Sequence, residues 1–187
     1  MATQTMKSTV TDSKLQEFFL DQLQDIYWAE KKLTKALLKL ADAATSDQLK
    51  NAFLNHQQQT QEHINRLKEV FNMIGQEAES TKCHAMAGIV DEASDIIDET
   101  DDHSAQRDVG LIFAAQKAEH YEIATYGGLT QLAKTLGFND AANLLHQTLA
   151  EEKEADALLT AIAESGSNYQ ASREPQQARD MTRPEKS

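Results

Sequence analysis

The chain has 187 residues, a net charge of −12, seven Gly, two Pro and one Cys. This length suits one domain with tails, and the scarcity of Gly and Pro permits long helices. The acidic charge without a basic cluster argues against a nucleic-acid partner, and no apolar run approaches the roughly 20 residues of a membrane span. A single cysteine, Cys83, excludes an intramolecular disulfide, and the N-terminus lacks the apolar run of a signal peptide, so we expect a cytoplasmic protein.

The first half of the chain predicts a helical hairpin. Residues 1–12 are rich in Thr and Ser and are expected to be flexible. A capping pattern at Ser13 predicts a helix to about residue 43, with an apolar stripe at three-and-four spacing. A second capping pattern, at Thr45, predicts another helix to about residue 74, closed by Gly75. The link between them is only a few residues, so the two helices should lie antiparallel.

The second half predicts a crossover and another hairpin. Residues 76–103 hold a shorter helical pattern and an acidic run, long enough to cross a helix pair. Long helices follow over about 104–136 and 140–164. We therefore expect an all-α, ferritin-like four-helix bundle over residues 13–165, with an extra short helix in the crossover. The remainder, 166–187, is polar, carries both prolines and should be a disordered tail.

Each long helix carries carboxylate or imidazole groups near its middle, on the apolar face. Burying carboxylates costs several kcal/mol unless positive charge offsets it, and no Lys or Arg lies at matching core positions. Carboxylates with one or two imidazoles suit iron or manganese, and zinc more loosely, so the pattern predicts two bound metal ions. The predicted ligands are Glu30, His63, Glu119, Glu122, Glu152 and Asp156.

Other residues on these faces have two interpretations. His56 and Gln59 are further candidate ligands, although His56 also fits a hydrogen-bonded core histidine. Tyr27 and Tyr126 lie where they could hydrogen-bond the ligands. Glu151 is interpreted as facing solvent, as most helical acids do.

Five stretches resemble the YciE/YciF-type ferritin-like proteins. They are DIYWAEKKL at 25–33, AFLNH at 52–56 with the QTQEHINRL that follows at 59–67, KCHAMAG at 82–88, AQKAEHYEIATYG at 115–127 and TLAEEKEAD at 148–156. The resemblance covers about residues 15–165. It implies a bundle related to rubrerythrin, usually dimeric, with a di-metal site and an association with bacterial stress response.

The chain departs from the general di-iron pattern, in which Glu-x-x-His occurs on two helices. Thr60 stands three residues before His63, and no His follows Glu152. The third long helix carries two acids, Glu119 and Glu122, where the pattern has one. We expect these departures to weaken the second metal position or to change the metal preference.

The leading hypothesis for function is redox chemistry with peroxide or oxygen, in a ferroxidase or a peroxidase- or catalase-like protein. The alternative is a non-catalytic, stress-related structural or interaction protein with a vestigial or structural metal site. Iron storage would require a closed shell of many subunits, which no feature of the sequence supports.

Overall fold

The computed structural model describes residues 13–175, and these are helical apart from short connections. The helices are α1 (Lys14–Ala43), α2 (Asp47–Met73), α3 (His84–Glu99), α4 (Ala105–Thr135), α5 (Asn139–Ile162) and, after one turn of π-helix (Ala163–Ser167), α6 (Asn168–Ala171). The predicted flexible N-terminus, 1–12, and residues 176–187 of the predicted tail lie outside the described residues.

The helices form two hairpins joined by the crossover. Helix α1 packs on α2 and α4 on α5, while contacts of α2 with α5 and of α1 with α4 close the bundle. The crossover helix α3 lies against α4 and α1. The predicted all-α, ferritin-like bundle with a helix in its long crossover is thus confirmed. Within residues 13–175, the helices are too polar or too short to cross a bilayer.

Local sequence signals set several helix ends. The Ser13 hydroxyl accepts a hydrogen bond from Gln16 N at 3.2 Å, as the capping pattern predicts. Gly75 and Gly137 follow α2 and α4 with φ of 72° and 81°, a backbone conformation that glycine adopts without steric cost.

The predicted cap at Thr45 is wrong, because Ser46 caps α2 by accepting from Leu49 N. Thr45 is engaged in tertiary contacts instead. Its backbone N–H donates to Asp108 Oδ1 at 2.7 Å, and its hydroxyl donates to the Ser104 carbonyl at 2.8 Å. Ser46 N also donates to Asp108, so one buried carboxylate at the start of α4 holds the α1–α2 connection in place.

Helix α3 crosses α4 at close range. A Cβ placed on Gly110 would lie 2.6 Å from Cγ2 of Ile96, well inside van der Waals contact. Ile96 is β-branched and has little freedom at χ1, so its methyl group cannot easily move away. A residue without a side chain at position 110 therefore allows α3 to pack directly on α4.

Helical structure continues past residue 165, where we expected the domain to end. Ile162 and Ser167 are buried, and α6 packs on α4. Glu174 then accepts hydrogen bonds from the N–H groups of Ala105 and Gln106, two of the free donors at the start of α4. The first part of the predicted tail thus covers and caps the second hairpin.

Candidate metal centre

Six ionisable side chains meet in the middle of the bundle, and each is at most 7% exposed. They come from all four long helices and are Glu30 (α1), His56 and His63 (α2), Glu119 and Glu122 (α4) and Glu152 (α5). The stripes bury these faces because most of their other residues are apolar, chiefly Leu, Ile, Ala and Phe. The polar groups therefore lie in a largely apolar core.

The first ligand group consists of Glu30, His63 and Glu152, whose ligand atoms lie within 4.8 Å of one another. Nδ1 of His63 is 2.9 Å from Glu152 Oε1 and 3.5 Å from Glu30 Oε1. Three such side chains from three helices could hold one metal ion.

The second ligand group consists of His56, Glu119, Glu122 and Glu152, again within 4.8 Å. Nε2 of His56 is 3.2 Å from Glu119 Oε1 and 3.7 Å from Glu152 Oε2. Glu152 thus belongs to both groups, and its two oxygens face different histidines. A carboxylate in this position can bridge two ions.

The facing atoms are close but are not aligned as hydrogen bonds. Among the described residues, neither Nδ1 of His63 nor Nε2 of His56 has a hydrogen-bond partner, and neither oxygen of Glu122 or Glu152 has one. Buried nitrogen and oxygen atoms that lie this close together without aligned hydrogen bonds are compatible with the ligands of a shared ion. Buried polar atoms of this kind otherwise cost about 1–3 kcal/mol each.

Two divalent ions would balance the negative charge of the two groups. Four buried carboxylates carry four negative charges, and two protonated imidazoles would offset only two of them. Two divalent ions with neutral imidazoles bring the sum to zero. The residues present therefore fit a dinuclear centre, whereas without metal the charge is balanced only if carboxyl groups such as Glu122, whose pKa is raised by burial, take up protons.

Without metal, the environment shifts several pKa values upward. Burial raises the pKa of Glu122 most clearly, and the charges of Glu152, Glu30 and Glu119 add to the effect. Burial also raises the pKa values of Glu30 and Glu152, against the lowering effect of His63.

Both histidines shift upward as well. Burial alone lowers the pKa of His56, but the Glu119 and Glu152 carboxylates outweigh it and raise the pKa to about 9. Burial likewise opposes protonation of His63, yet Glu152 and Glu30 raise its pKa to about 10. A metal ion must therefore displace protons from both imidazoles at neutral pH.

The far nitrogen of His63 has a partner that sequence reasoning missed. Nε2 of His63 lies 2.8 Å from Glu151 Oε2, and Arg66 donates to both oxygens of that carboxylate at 2.9 and 3.1 Å. Our interpretation of Glu151 as solvent-facing is corrected, because its side chain is only 23% exposed. Burial works against its charge, but Arg66 and His63 lower the pKa of Glu151. The contact directs Nδ1 of His63 towards the centre.

Three further predicted residues, Gln59, Tyr126 and Tyr27, lie near the candidate ligands and make different contacts. Nδ1 of His56 lies 3.3 Å from Gln59 Oε1, which places Gln59 behind a ligand instead of in the ligand set. The Tyr126 hydroxyl donates to Glu30 Oε1, as predicted for a residue that supports a ligand. Tyr27 is buried but packs edge-on against Phe71, with ring centroids 5.7 Å apart.

Asp156 belongs to neither group. It is half-buried, accepts a hydrogen bond from Gln116 Nε2 at 3.1 Å and lies 3.4 Å from His120 Nε2. Residues four apart on a helix differ by about 40° in direction, which takes this side chain from the core face to the α4–α5 flank.

The chain matches a known protein family and a curated relative over most of its length. Residues 14–172 match a family described as a domain of unknown function, DUF892. Protein YciF of Escherichia coli K12 is 44% identical over 163 residues, which cover 84% of this chain and 95% of YciF.

Solved structures resemble the fold over most of its length. The crystal structure of the E. coli stress protein YciF matches with a TM-score of 0.79 at 42% identity, covering 84% of this chain and 99% of that one. YcfI from Rhodopseudomonas palustris, for which a structural role has been suggested, matches with a TM-score of 0.77 at 36% identity, covering 82% and 96%. The protein XCC3681 from Xanthomonas campestris pv. campestris shares the fold at 20% identity, with a TM-score of 0.67 and coverage of 86% and 98%.

Proposed function

Because the chain belongs to the DUF892 family of YciF-like proteins, we propose that it is a ferritin-like dinuclear metal protein that acts in bacterial stress response. The observation that carries the proposal is Glu152, a fully buried carboxylate shared by two ligand groups and without an aligned hydrogen bond. The name of the E. coli relative, a stress protein, supports the physiological part.

The ligand types favour iron or manganese as the metal, with zinc as a weaker fit. Four carboxylates and two imidazoles are the hard and borderline donors that these ions prefer, and no thiolate stands in either group. The two imidazoles both come from α2, seven residues apart, so they lie on the same face of that helix, with ring centroids 6.4 Å apart.

We infer peroxide or dioxygen as the substrate class. Two ferrous ions held by these residues would supply one electron each and become ferric, enough to reduce one hydrogen peroxide with two protons to two water molecules. The chain's own part is to hold the ions and to keep the site dry. Tyr126 fixes Glu30 by hydrogen bonding, Glu151 fixes His63, and the apolar stripes exclude bulk water.

A metal assay on the full chain tests the proposal. We expect about two iron or manganese ions per chain, identified by anomalous scattering at the two absorption edges. Glu30→Ala and Glu122→Ala should each lose bound metal and peroxide consumption, while Glu154→Ala, at an exposed position on α5, should lose neither. Full metal content in both core variants would contradict the assignment.

Metal removal provides a second measurement. A ligand at about 100 times its Kd stabilises the folded state by about 2.7 kcal/mol, and each kcal/mol shifts Tm by about 2–4 °C at this chain length. Chelation should therefore lower Tm by about 5–10 °C. An unchanged Tm with substoichiometric metal would favour the alternative, a non-catalytic structural or interaction protein, as suggested for YcfI.

We also propose a cytoplasmic homodimer. The single cysteine is free and buried, which suits a reducing compartment. Light scattering during size-exclusion chromatography would measure the subunit number, and a large closed shell would point to iron storage.

A further inference from the structure

A small cavity opens between α2 and α5, next to the second ligand group. Its volume is about 20 Å³, enough for one molecule of water size, which needs about 10–15 Å³. Five of its lining residues are apolar, namely Ala52, Phe53, Ala155, Leu158 and Leu159. The other two are His56 and Glu119.

The polar wall of this cavity is part of the metal centre. His56 and Glu119 are 7% and 1% exposed, and both belong to the second ligand group. Among the described residues, His56 Nε2 and Glu119 Oε2 lack hydrogen-bond partners. Leu158, in contrast, is 48% exposed. The cavity therefore leads from a surface residue to unpartnered ligand atoms in the core.

Ala155 explains why space exists here. It stands three residues after Glu152, where the general di-iron pattern has a histidine. In this chain the second imidazole comes from α2, as His56, and a methyl group occupies position 155. Because the imidazole comes from α2, α5 needs no large side chain at position 155, and space is left beside His56.

We propose that this cavity is the entry site for a neutral oxidant of two heavy atoms, hydrogen peroxide or dioxygen, next to the second metal position. The inference rests on the proposed function and names the route to that same centre. Apolar walls favour such molecules over ions, because an ion would lose its hydration without replacement contacts until it reached Glu119.

A second cavity touches Glu119 from the side of α1, α3 and α4, but it suits this role less well. Its volume is about 10 Å³, at the lower limit for a water molecule, and apart from Glu119 its lining is entirely apolar. No imidazole borders it. The α2–α5 cavity is therefore the better route.

The test fills the cavity with a larger side chain at its half-buried wall. In ferrous-loaded full-length protein, Ala155→Leu should slow nitric oxide association by about tenfold or more, because a blocked entry acts on the association rate. Nitric oxide is a neutral diatomic probe whose binding is followed by stopped-flow absorbance and electron paramagnetic resonance. Metal content and the circular dichroism spectrum should stay at wild-type values.

Ala157→Leu is the matched control, since it adds the same side chain at an exposed position two residues along α5. It should leave the nitric oxide rate unchanged. Leu158→Ala, which removes bulk from the lining, should raise the rate, and this keeps the test informative if Ala155→Leu folds poorly.

The two oxidants are then compared with a bulky one. Wild-type ferrous protein should react with hydrogen peroxide or dioxygen at least about tenfold faster than with tert-butyl hydroperoxide, which is too large for the cavity, and Leu158→Ala should narrow that difference. The faster of the two small oxidants identifies the one used.

Wild-type nitric oxide rates in fully metal-loaded Ala155→Leu, with Leu158→Ala also unchanged, would overturn the entry site and leave the metal centre intact. A wild-type chain that holds no metal would instead overturn the proposed function, and the entry site with it.

Discussion

The two ligand groups differ in how firmly their side chains are held. In the first group, Tyr126 donates to Glu30, and the Glu151–Arg66 pair binds the far side of His63. In the second group, His56 has only a 3.3 Å contact with Gln59, and Glu122 has no hydrogen-bond partner among the described residues.

This difference assigns different roles to the two positions. Ligands fixed by neighbouring hydrogen bonds keep their geometry through a reaction, so the first position should bind its ion more tightly. The second position lies beside the α2–α5 cavity and its side chains have fewer hydrogen bonds, so we expect its ligands to rearrange more easily. If both ions bind as proposed, we expect one to be held firmly and the other to be more accessible.

The largest expected effect comes from the residue that both groups share. Glu152→Ala should abolish binding of both ions, whereas Glu119→Ala, which alters the second group alone, should retain about one ion per chain. Metal content by mass spectrometry after dialysis measures this. Equal retention in the two variants would show that Glu152 does not bridge.

The next largest effect is on metal affinity, when a residue that hydrogen-bonds a ligand is replaced in one group or the other. Glu151→Ala should weaken metal binding by about 10–100-fold, the usual cost of losing such a partner, or about 1.4–2.7 kcal/mol. Glu151→Gln, which can still accept from His63, should weaken it less. Gln59→Leu should act on the second position alone and by a smaller factor, since its contact with His56 is long.

Competitive titration with a chelating dye would measure both affinities. If Gln59→Leu cost as much as Glu151→Ala, the two positions would be equally supported and the comparison would fail.

A third expected effect is a pH dependence of the free energy of unfolding of the chelated protein. The raised pKa values of His56 and His63, about 9 and 10, contribute stability that is fully present below their ordinary value of 6.5. That contribution is lost as the pH rises through 9 and 10. The raised carboxyl pKa values of Glu30 and Glu152 act in the same direction, since they favour the folded state when protonated.

The Tm of the metal-free protein should therefore fall from pH 6.5 to pH 10, and the gap between loaded and chelated protein should widen, because ligation needs neutral imidazoles. Calorimetry on both forms would show it. The decrease in Tm between pH 6.5 and pH 10 should be smaller in His63→Gln. An equal decrease in that variant would show that groups other than His63 cause the pH dependence.

Sequence patterns predicted the bundle and most of the side chains that cluster in its core, for a physical reason. An acid such as Glu30 on an otherwise apolar stripe must follow that stripe into the core, and short or long connections set the order of the helices. The same reasoning placed His63, Glu122 and Glu152 at one level.

Residues at the edge of the stripes were harder to place. Asp156 and Glu151 both flank the core face of α5, and the periodicity of its apolar residues does not determine the rotation of α5 about its own axis. Arg66 on the facing helix decides the matter for Glu151, and Gln116 on α4 does so for Asp156. A partner distant in sequence also acts at the start of α2, where Asp108 accepts hydrogen bonds from the N–H groups of Thr45 and Ser46 and Ser46 is the cap.

The close crossing of α3 and α4 has a consequence for how relatives can vary. Any side chain at position 110 would overlap the Ile96 methyl group, so a change there requires a smaller residue at position 96. The two positions should therefore change together in evolution, although one belongs to the crossover and the other to the second hairpin. A chimaera that exchanged only one of these segments between diverged relatives could combine a side chain at position 110 with Ile at position 96, and the two would overlap.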